Sequence, residues 1–173
     1  MTYKIRPAEA YSACNSGACV EWEQFDGMTI KTTKVLTSKG VRMVMDAGIS
    51  KARELGIAVT IAIVDAGGHL LMLERMEGGP FHTVHSATSK AVSAASNKRP
   101  TSSRGAQGQS LDVLHALGLT LAAGPRNWTP IGGGYPALVD KECVGGIGVA
   151  GGDQKQDEEI ARYALQSIGA KWE

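Results

Sequence analysis

The chain has 173 residues, 43% of them hydrophobic, which is enough for one globular domain with a buried core. Its 18 basic and 17 acidic residues nearly cancel, which excludes the strongly charged surface that binds nucleic acid or an anionic membrane. Aromatic residues make up only 5%, so we expect a core of aliphatic side chains.

Cysteine usage and the first residues indicate a cytoplasmic protein. Cys14, Cys19 and Cys143 are odd in number and irregularly spaced, unlike a disulfide framework. Cys14 and Cys19 are near enough for a local bridge, but a reducing compartment is the simpler interpretation. We see no apolar signal segment at the start and no apolar run of ~18 residues, so we expect neither secretion nor a membrane span.

Residues 1–28 are predicted to be an irregular arm that precedes a single domain, residues 29–173. The arm mixes glycine, proline and scattered charges without helical or strand periodicity. Its Trp22 and Phe25 favour a surface strap or an oligomer contact, because such side chains seldom stay exposed on a free tail. A disordered arm is an equally good interpretation.

The first element of the domain is predicted to be a helix over Thr33–Leu55. Apolar residues recur there at helical spacing, and charged residues occupy the other positions. Thr32 or Thr33 is the predicted N-cap. Gly56 stands where a helix ends in the left-handed conformation.

A β-hairpin is predicted to follow this helix. Ile57–Val64 is apolar on both alternating sets of side chains, which is typical of a strand with helices over both faces. The turn Asp65–His69 contains two glycines that adopt positive φ at little cost. Leu70–Met76 is the predicted returning strand.

The second half of the chain is predicted to hold two more strands between helices. The predicted elements are a helix over Phe81–Asn97, a short helix over Ser110–Leu117, strands over Ala137–Val139 and Cys143–Val149, and a terminal helix that begins at Asp153 or Gln154. The helix over Phe81–Asn97 has an alanine-rich face. Such a face is expected to pack closely against the sheet.

Asp65 and Arg75 form the first candidate site, near the two ends of the predicted hairpin. Together they could bind a polar ligand. The simpler interpretation is that Asp65 accepts backbone N–H groups in the turn and that Arg75 pairs with a nearby carboxylate. Their spacing alone favours this structural alternative.

His82 and His85 form the second candidate site, at the start of the second predicted helix. Their spacing of three residues places both imidazoles on one helix face. Imidazole is a common ligand of heme iron and of metal ions, so both are candidate metal ligands. Two histidines without a third ligand are a weak zinc signal, and exposed polar residues at a helix start are the simpler alternative.

Two glycine-rich segments, residues 132–134 and 144–152, form the third candidate. They match neither the phosphate loop nor the dinucleotide-binding pattern. Glycine within a strand indicates close approach of a helix, a second subunit or a flat ligand. Gly132, Gly133 and Gly134 could also offer backbone N–H groups to an anion.

The order of these motifs over residues 33–169 resembles the GlcG/HbpS-like family, which includes the C-terminal domain of PduO-type corrinoid adenosyltransferases. The matching segments are Ala52–Gly56, Val59–Leu70, Glu74–Gly79, Lys90–Ala95, Gly132–Pro136, Val144–Gly152 and Gln156–Ala161. The resemblance implies an α+β domain with a profilin-like, curved antiparallel sheet of about five strands and helices on both faces. It also implies self-association into dimers or octamers.

The resemblance implies heme as the cofactor, bound for carriage, degradation or redox sensing. His82 or His85 would then ligate the iron, and Arg75 or Lys90 would contact a propionate. The alternative is a cofactor-independent lyase, isomerase or hydratase that acts on a small catabolic intermediate. There His82 or His85 would be the general acid/base, and Asp65, Arg75 or the amides of residues 132–134 would stabilise an anion.

Overall fold

The computed structural model describes residues 32–105 and 107–173. The described elements are α1 (Ser38–Glu54), β1 (Thr60–Asp65), β2 (Leu70–Arg75), α2 (Thr83–Asn97), α3 (Val113–Ala123), β3 (Gly134–Val139), β4 (Glu142–Ala150) and α4 (Gln154–Gln166). The predicted arm, with Cys14, Cys19, Trp22 and Phe25, lies outside the described residues. The domain boundary at residue 29 therefore stays a prediction.

The described strands form one antiparallel sheet in the order β2-β1-β4-β3. The expectation of about five strands is wrong for the described residues, which hold four in this sheet. The fifth strand had come only from the family resemblance. Between α2 and β3 the chain forms loops, α3 and one isolated bridge, because it has no alternating apolar run that could join the sheet.

Helices cover both faces of the sheet. This was predicted from the sequence of β1, whose side chains are apolar on both faces. Ile61 and Ile63 lie in a core shared with α1 and α4. Ala62 and Val64, which point the other way, pack against the alanines of α2. β1 is consequently buried on both faces over Thr60–Val64.

The glycines of β4 allow α2 to lie directly on the strand backbone. A Cβ added to Gly148 would stand 2.0 Å from the carbonyl oxygen of Ala87, and one at Gly146 would stand 2.5 Å from that of Ala91. No side chain fits in that space. Of the three alternatives for the glycine-rich strand, close packing of a helix is the one found here.

Side-chain caps account for the first residues of α1 and α3, which differ from the predicted ones, whereas α2 begins at Thr83 rather than at Phe81 without a side-chain cap. The hydroxyl of Thr37 accepts the Gly40 N–H, so α1 begins at Ser38 rather than at Thr33. The carboxylate of Asp112 accepts the His115 N–H at 2.8 Å and starts α3 three residues after the predicted Ser110. Within residues 32–105 and 107–173, no helix has the length and apolar character needed to cross a bilayer.

Candidate functional site

A cavity of about 290 Å³ lies where the start of α2, the end of β4 and the start of α4 meet. It brings together three of the predicted site residues, His82, Lys90 and Gly132. The complete lining is Pro80, His82, Thr83, Ser86, Lys90, Ile131, Gly132, Ala150, Gly151, Gly152, Gln154 and Asp157. The cavity therefore joins segments that are far apart in the sequence.

A buried ion pair forms the floor of this cavity. The Lys90 ammonium donates to a carboxylate oxygen of Asp157 at 2.8 Å and to the carbonyl oxygen of Val149 at 2.7 Å. Both charged side chains are only 5% exposed. The second carboxylate oxygen of Asp157 accepts the Gly152 N–H at 3.0 Å. Because α2 and α4 cover opposite faces of the sheet, this pair joins the two helical layers at the end of β4.

Burial dominates the electrostatics of the floor. Removal of the Asp157 carboxyl from water raises its pKa above the ordinary value, although the Lys90 ammonium and the Gly152 N–H both favour the charged form.

The segment 132–134 crosses directly over the ion pair. Gly133 has φ +102°, and a Cβ there would stand 2.9 Å from the Lys90 ammonium nitrogen. The Gly134 N–H donates to the Thr101 hydroxyl at 2.9 Å, so it is not free for an anion. The N–H groups of Gly132 and Gly133 have no hydrogen-bond partner within the described residues. Of these two glycines, both buried, only Gly132 lines the cavity, so one of the three predicted amide donors lies at the site.

The rim of the cavity is exposed and largely apolar. Ile131 lines it and is 59% exposed, and Phe81, which is 80% exposed, lies next to the lining residues Pro80 and His82 without lining the cavity itself. The exposed imidazole of His82 contacts the Phe81 ring edge-on, with centroids 6.1 Å apart, and has no hydrogen-bond partner in the described part of the chain. His85 is also exposed but does not line the cavity. Of the histidine pair, only His82 lies at the cavity.

Asp65 and Arg75 do not share a site, because the hairpin register separates them. Arg75 pairs with Thr60, at the other end of β1 from Asp65. Five residues of strand correspond to about 17 Å. The Arg75 guanidinium donates to the carbonyl oxygen of Gly79, within its own loop. The two residues therefore cannot bind one small ligand together.

Asp65 has the structural role that was the simpler interpretation of its place in the sequence: it accepts backbone N–H groups in the hairpin turn. Its carboxylate accepts the N–H groups of Gly67 and His69 at 2.8 and 2.9 Å, and the His69 imidazole lies 3.1 Å away. Desolvation alone would raise the pKa of Asp65, but these hydrogen bonds together outweigh it and lower the pKa. The carboxylate closes the hairpin turn.

Sequence reasoning missed Asp157 as a site residue. It stands one turn before Ile160 and Ala161, on the apolar face of α4. Lys90 likewise interrupts the alanine face of α2. A single charge on the core side of each of two helices was the available signal for a buried pair, because an unpaired buried charge is too costly to persist.

No cluster of three or more metal-ligating side chains occurs in residues 32–105 and 107–173. A site built like a structural zinc centre is therefore absent from the described chain. His82 is the one histidine that lines the cavity, and its imidazole has no hydrogen-bond partner within the described residues.

The fold and this cavity define a small antiparallel α+β domain with a ligand-sized site. The chain belongs to the family described as "Haem degrading protein HbpS-like", whose model matches residues 36–166. Among curated relatives, GlcG of Escherichia coli is 30% identical over 121 residues, covering 70% of this chain and 85% of that protein. The corrinoid adenosyltransferase PduO of Salmonella typhimurium is 30% identical over 139 residues, 80% of this chain but 40% of that protein.

Solved structures of relatives have the same fold. The structure described as a PduOC–heme complex matches with a TM-score of 0.70 at 26% identity, covering 80% of this chain and 99% of that one. A double mutant of HbpS from Streptomyces reticuli matches with a TM-score of 0.68 at 28% identity, covering 91% and 99%. The family predicted from the sequence motifs is thereby confirmed.

Proposed function

We propose that this chain binds heme at the cavity, with His82 as the iron ligand. One observation carries the proposal: the cavity mouth holds an exposed imidazole without a hydrogen-bond partner in the described chain, beside the exposed Phe81 and Ile131. Membership of the HbpS-like family, and a solved relative in complex with heme, support it. Heme degradation or redox sensing is the corresponding proposed activity, because bound heme supplies redox chemistry at iron.

The residues present suit the chemistry of a porphyrin. Its apolar face matches the exposed side chains of Ile131 on the rim and of Phe81 beside it. A carboxylate at its edge matches the Gly132 N–H group, which has no hydrogen-bond partner within the described residues and belongs to a residue that lines the cavity. The cavity volume of about 290 Å³ is at the low end of ligand sites, so the rest of the porphyrin would extend over the rim.

Lys90 takes a different role in this proposal from the predicted contact with a propionate. Its ammonium is buried and already donates to Asp157 and Val149. It therefore acts through the backbone by holding the end of β4, where the Val149 N–H in turn donates to the carbonyl oxygen of Gly133 at 2.9 Å. Arg75 does not line the cavity, so it is not part of the proposed heme site.

A hemin titration of the purified full chain tests the proposal. In the wild type we expect a Soret band that saturates at one heme per chain. In His82→Ala we expect this band to be lost or displaced. His85→Ala is the matched control, because it removes an exposed imidazole from the same helix outside the cavity. A band that survives His82→Ala unchanged, or that disappears only in His85→Ala, contradicts the assignment.

A second candidate function, a cofactor-independent lyase or isomerase, is favoured by the exposed imidazole of His82, which lines the same cavity as Gly132. There His82 would exchange a proton with a small anionic intermediate, and the Gly132 amide would stabilise its charge. Solvent deuterium incorporation next to the carbonyl of small keto acids, measured by NMR on heme-free protein, tests it. We expect His82→Ala to abolish the exchange; exchange that persists in this variant rules out this role.

Self-association into a dimer or octamer, and a cytoplasmic location, complete the proposal. The family resemblance supports the first. Cys143 supports the second, since it is a free thiol that lies half-buried in β4 rather than in a disulfide.

A further inference from the structure

The loop between β2 and α2 carries His82 to the cavity mouth, and nothing at the imidazole itself fixes its position. The ring contacts Phe81 edge-on and has no hydrogen-bond partner within the described residues. His82 is the N-cap residue of α2, yet its side chain makes no bond to the first turn of that helix. The place of the imidazole is therefore set by the backbone of the loop, residues 76–82.

Two consecutive carbonyl oxygens of this loop accept hydrogen bonds from side chains. The Arg75 guanidinium donates to the carbonyl oxygen of Gly79. The Thr83 hydroxyl donates to the carbonyl oxygen of Pro80 at 2.6 Å, and the Thr83 N–H donates to the same oxygen at 3.2 Å. The two peptide units that lead to His82 are thus held from both ends of the loop, one from β2 and the other from α2.

A third side chain, Thr60 on β1, fixes Thr83 itself. The two hydroxyl oxygens lie 2.6 Å apart, and Thr60 and Thr83 are 0% and 4% exposed. A hydroxyl has one hydrogen, and that of Thr83 goes to Pro80, so Thr60 is the donor in this pair. Thr60 also stands directly opposite Arg75 in the pairing of β1 with β2. Because cross-strand partners share a face of the sheet, both contacts start from the same point of the hairpin.

The loop has little rigidity of its own on the β2 side. Gly78 has φ +84°, and a second glycine follows it. The Gly79 N–H donates to the carbonyl oxygen of Met76 at 3.0 Å, which closes a tight turn but leaves the Gly79 carbonyl oxygen to Arg75. Glycine has more conformational freedom to lose than any other residue. We therefore expect the peptide unit after Gly79 to move when the guanidinium is removed.

We propose that Arg75 and Thr83 are positioning residues for the iron ligand, which place the His82 imidazole at the cavity mouth by fixing the Gly79 and Pro80 carbonyl groups. This inference rests on the proposed function, in which His82 ligates heme iron. Arg75 does not line the cavity, and the Thr83 hydroxyl bonds within the fold, so both act through the backbone rather than on the heme. A ligand that is held in place before binding loses less freedom when iron binds.

Hemin titration of Arg75→Met in the full chain tests the first contact. Methionine keeps an unbranched apolar side chain and removes the guanidinium. We expect the hemin Kd to rise about tenfold, the lower end of the range for residues that support a metal ligand. Arg53→Met is the matched control, because it removes an exposed arginine from α1 on the other face of the sheet. An unchanged Kd in Arg75→Met, or an equal rise in Arg53→Met, overturns the proposal.

A double-mutant cycle separates positioning of His82 from a direct contact with heme. In His82→Gly with added imidazole, the iron ligand no longer depends on the loop. Arg75→Met should then change the hemin Kd by less than about twofold, because its effect passes through His82. The same tenfold rise in both backgrounds would mean that Arg75 contacts a heme carboxylate or acts elsewhere, and would overturn this inference alone. If His82→Gly without imidazole binds hemin as the wild type does, the proposed function is wrong and the inference is wrong with it.

Threonine variants test the second contact. Thr83→Ser keeps the hydroxyl and should keep the wild-type hemin Kd, whereas Thr83→Val removes it and should raise the Kd about tenfold. Thr83→Val leaves the buried Thr60 hydroxyl without its acceptor, so the double variant Thr60→Val, Thr83→Val is the better choice for an intact fold, because neither hydroxyl is left unpaired. Circular dichroism of the heme-free protein confirms that fold. A wild-type Kd in the double variant, or a Kd that rises equally in Thr83→Ser, overturns the role of Thr83.

Discussion

The floor and the rim of the cavity differ in how completely their polar groups are satisfied. On the floor, Lys90 and Asp157 are almost fully buried and bond to each other and to the backbone. On the rim, Ile131 and His82 are exposed, and the imidazole has no hydrogen-bond partner in the described chain. The floor therefore stabilises the fold, and the rim is the part of the cavity that can bind a ligand. Variants in the two regions should separate stability from binding.

The largest expected effect comes from breaking the floor. Asp157→Ala leaves the Lys90 ammonium buried without a counter-charge, which costs about 3–5 kcal/mol of unfolding free energy. Urea denaturation followed by circular dichroism measures it. Glu159→Ala on the same helix is the control, because Glu159 pairs with Lys51 at the surface and its removal should cost far less. Equal losses in the two variants would contradict a buried floor.

Replacing both charges sharpens this result. The double variant Lys90→Met, Asp157→Leu removes the uncompensated charge and should recover most of the stability that Asp157→Ala loses. The same denaturation series measures the recovery. A double variant as unstable as the single one would show that the hydrogen bonds to Val149 and Gly152, rather than the charge balance, hold the floor together.

A smaller effect is expected at Asp65, which belongs to neither region. Asp65→Asn weakens the bonds to the Gly67 and His69 N–H groups and should cost about 1 kcal/mol at pH 7, reduced by solvent exposure. Because folding lowers the pKa of Asp65 below 3.8, its contribution is complete above that value and is lost as pH falls through the folded pKa.

Acid denaturation of wild type and Asp65→Asn measures this contribution. The stability gap between them should narrow as pH falls below 3.8 and should close only below the lowered folded-state pKa of Asp65, where the wild-type carboxylate is protonated. A gap that persists at low pH would place the effect in packing rather than in charge.

The smallest effect on stability is expected at the rim. His82→Ala removes an exposed side chain that bonds to nothing in the described chain, so its unfolding free energy should stay within about 0.5 kcal/mol of the wild type. Thermal and urea denaturation of the heme-free protein measure it. A loss as large as that of Asp157→Ala would mean that His82 is part of the fold, and the distinction between floor and rim would fail.

Local signals in the sequence predicted most of the fold. The apolar residues on both alternating sets of β1 predicted that both of its faces are buried. The glycines in the turn after Asp65 predicted the hairpin. The helix boundaries were less predictable, because they depend on which hydroxyl or carboxylate accepts the first free N–H, as Thr37 and Asp112 do. The count of strands was not a local property, and the resemblance overestimated it for the described residues.

The site was harder to predict than the fold, because it is assembled from distant segments. His82 and the 132–134 glycines were identified by residue type, but nothing local separates His82 at the cavity from His85 outside it. Asp65 and Arg75 looked like neighbours because the hairpin register was unknown. Asp157 escaped notice because its partner Lys90 is 67 residues away in the chain.

Chemical rescue of the rim histidine tests the central claim most directly. His82→Gly removes the proposed iron ligand and leaves a space for a free imidazole at the cavity mouth. In a hemin titration we expect the Soret band of this variant to be lost or displaced, and millimolar imidazole to restore the wild-type spectrum. A wild-type spectrum of His82→Gly without added imidazole would contradict the account. So would a spectrum of His82→Gly that imidazole does not restore, if His85→Gly is the variant that responds to imidazole.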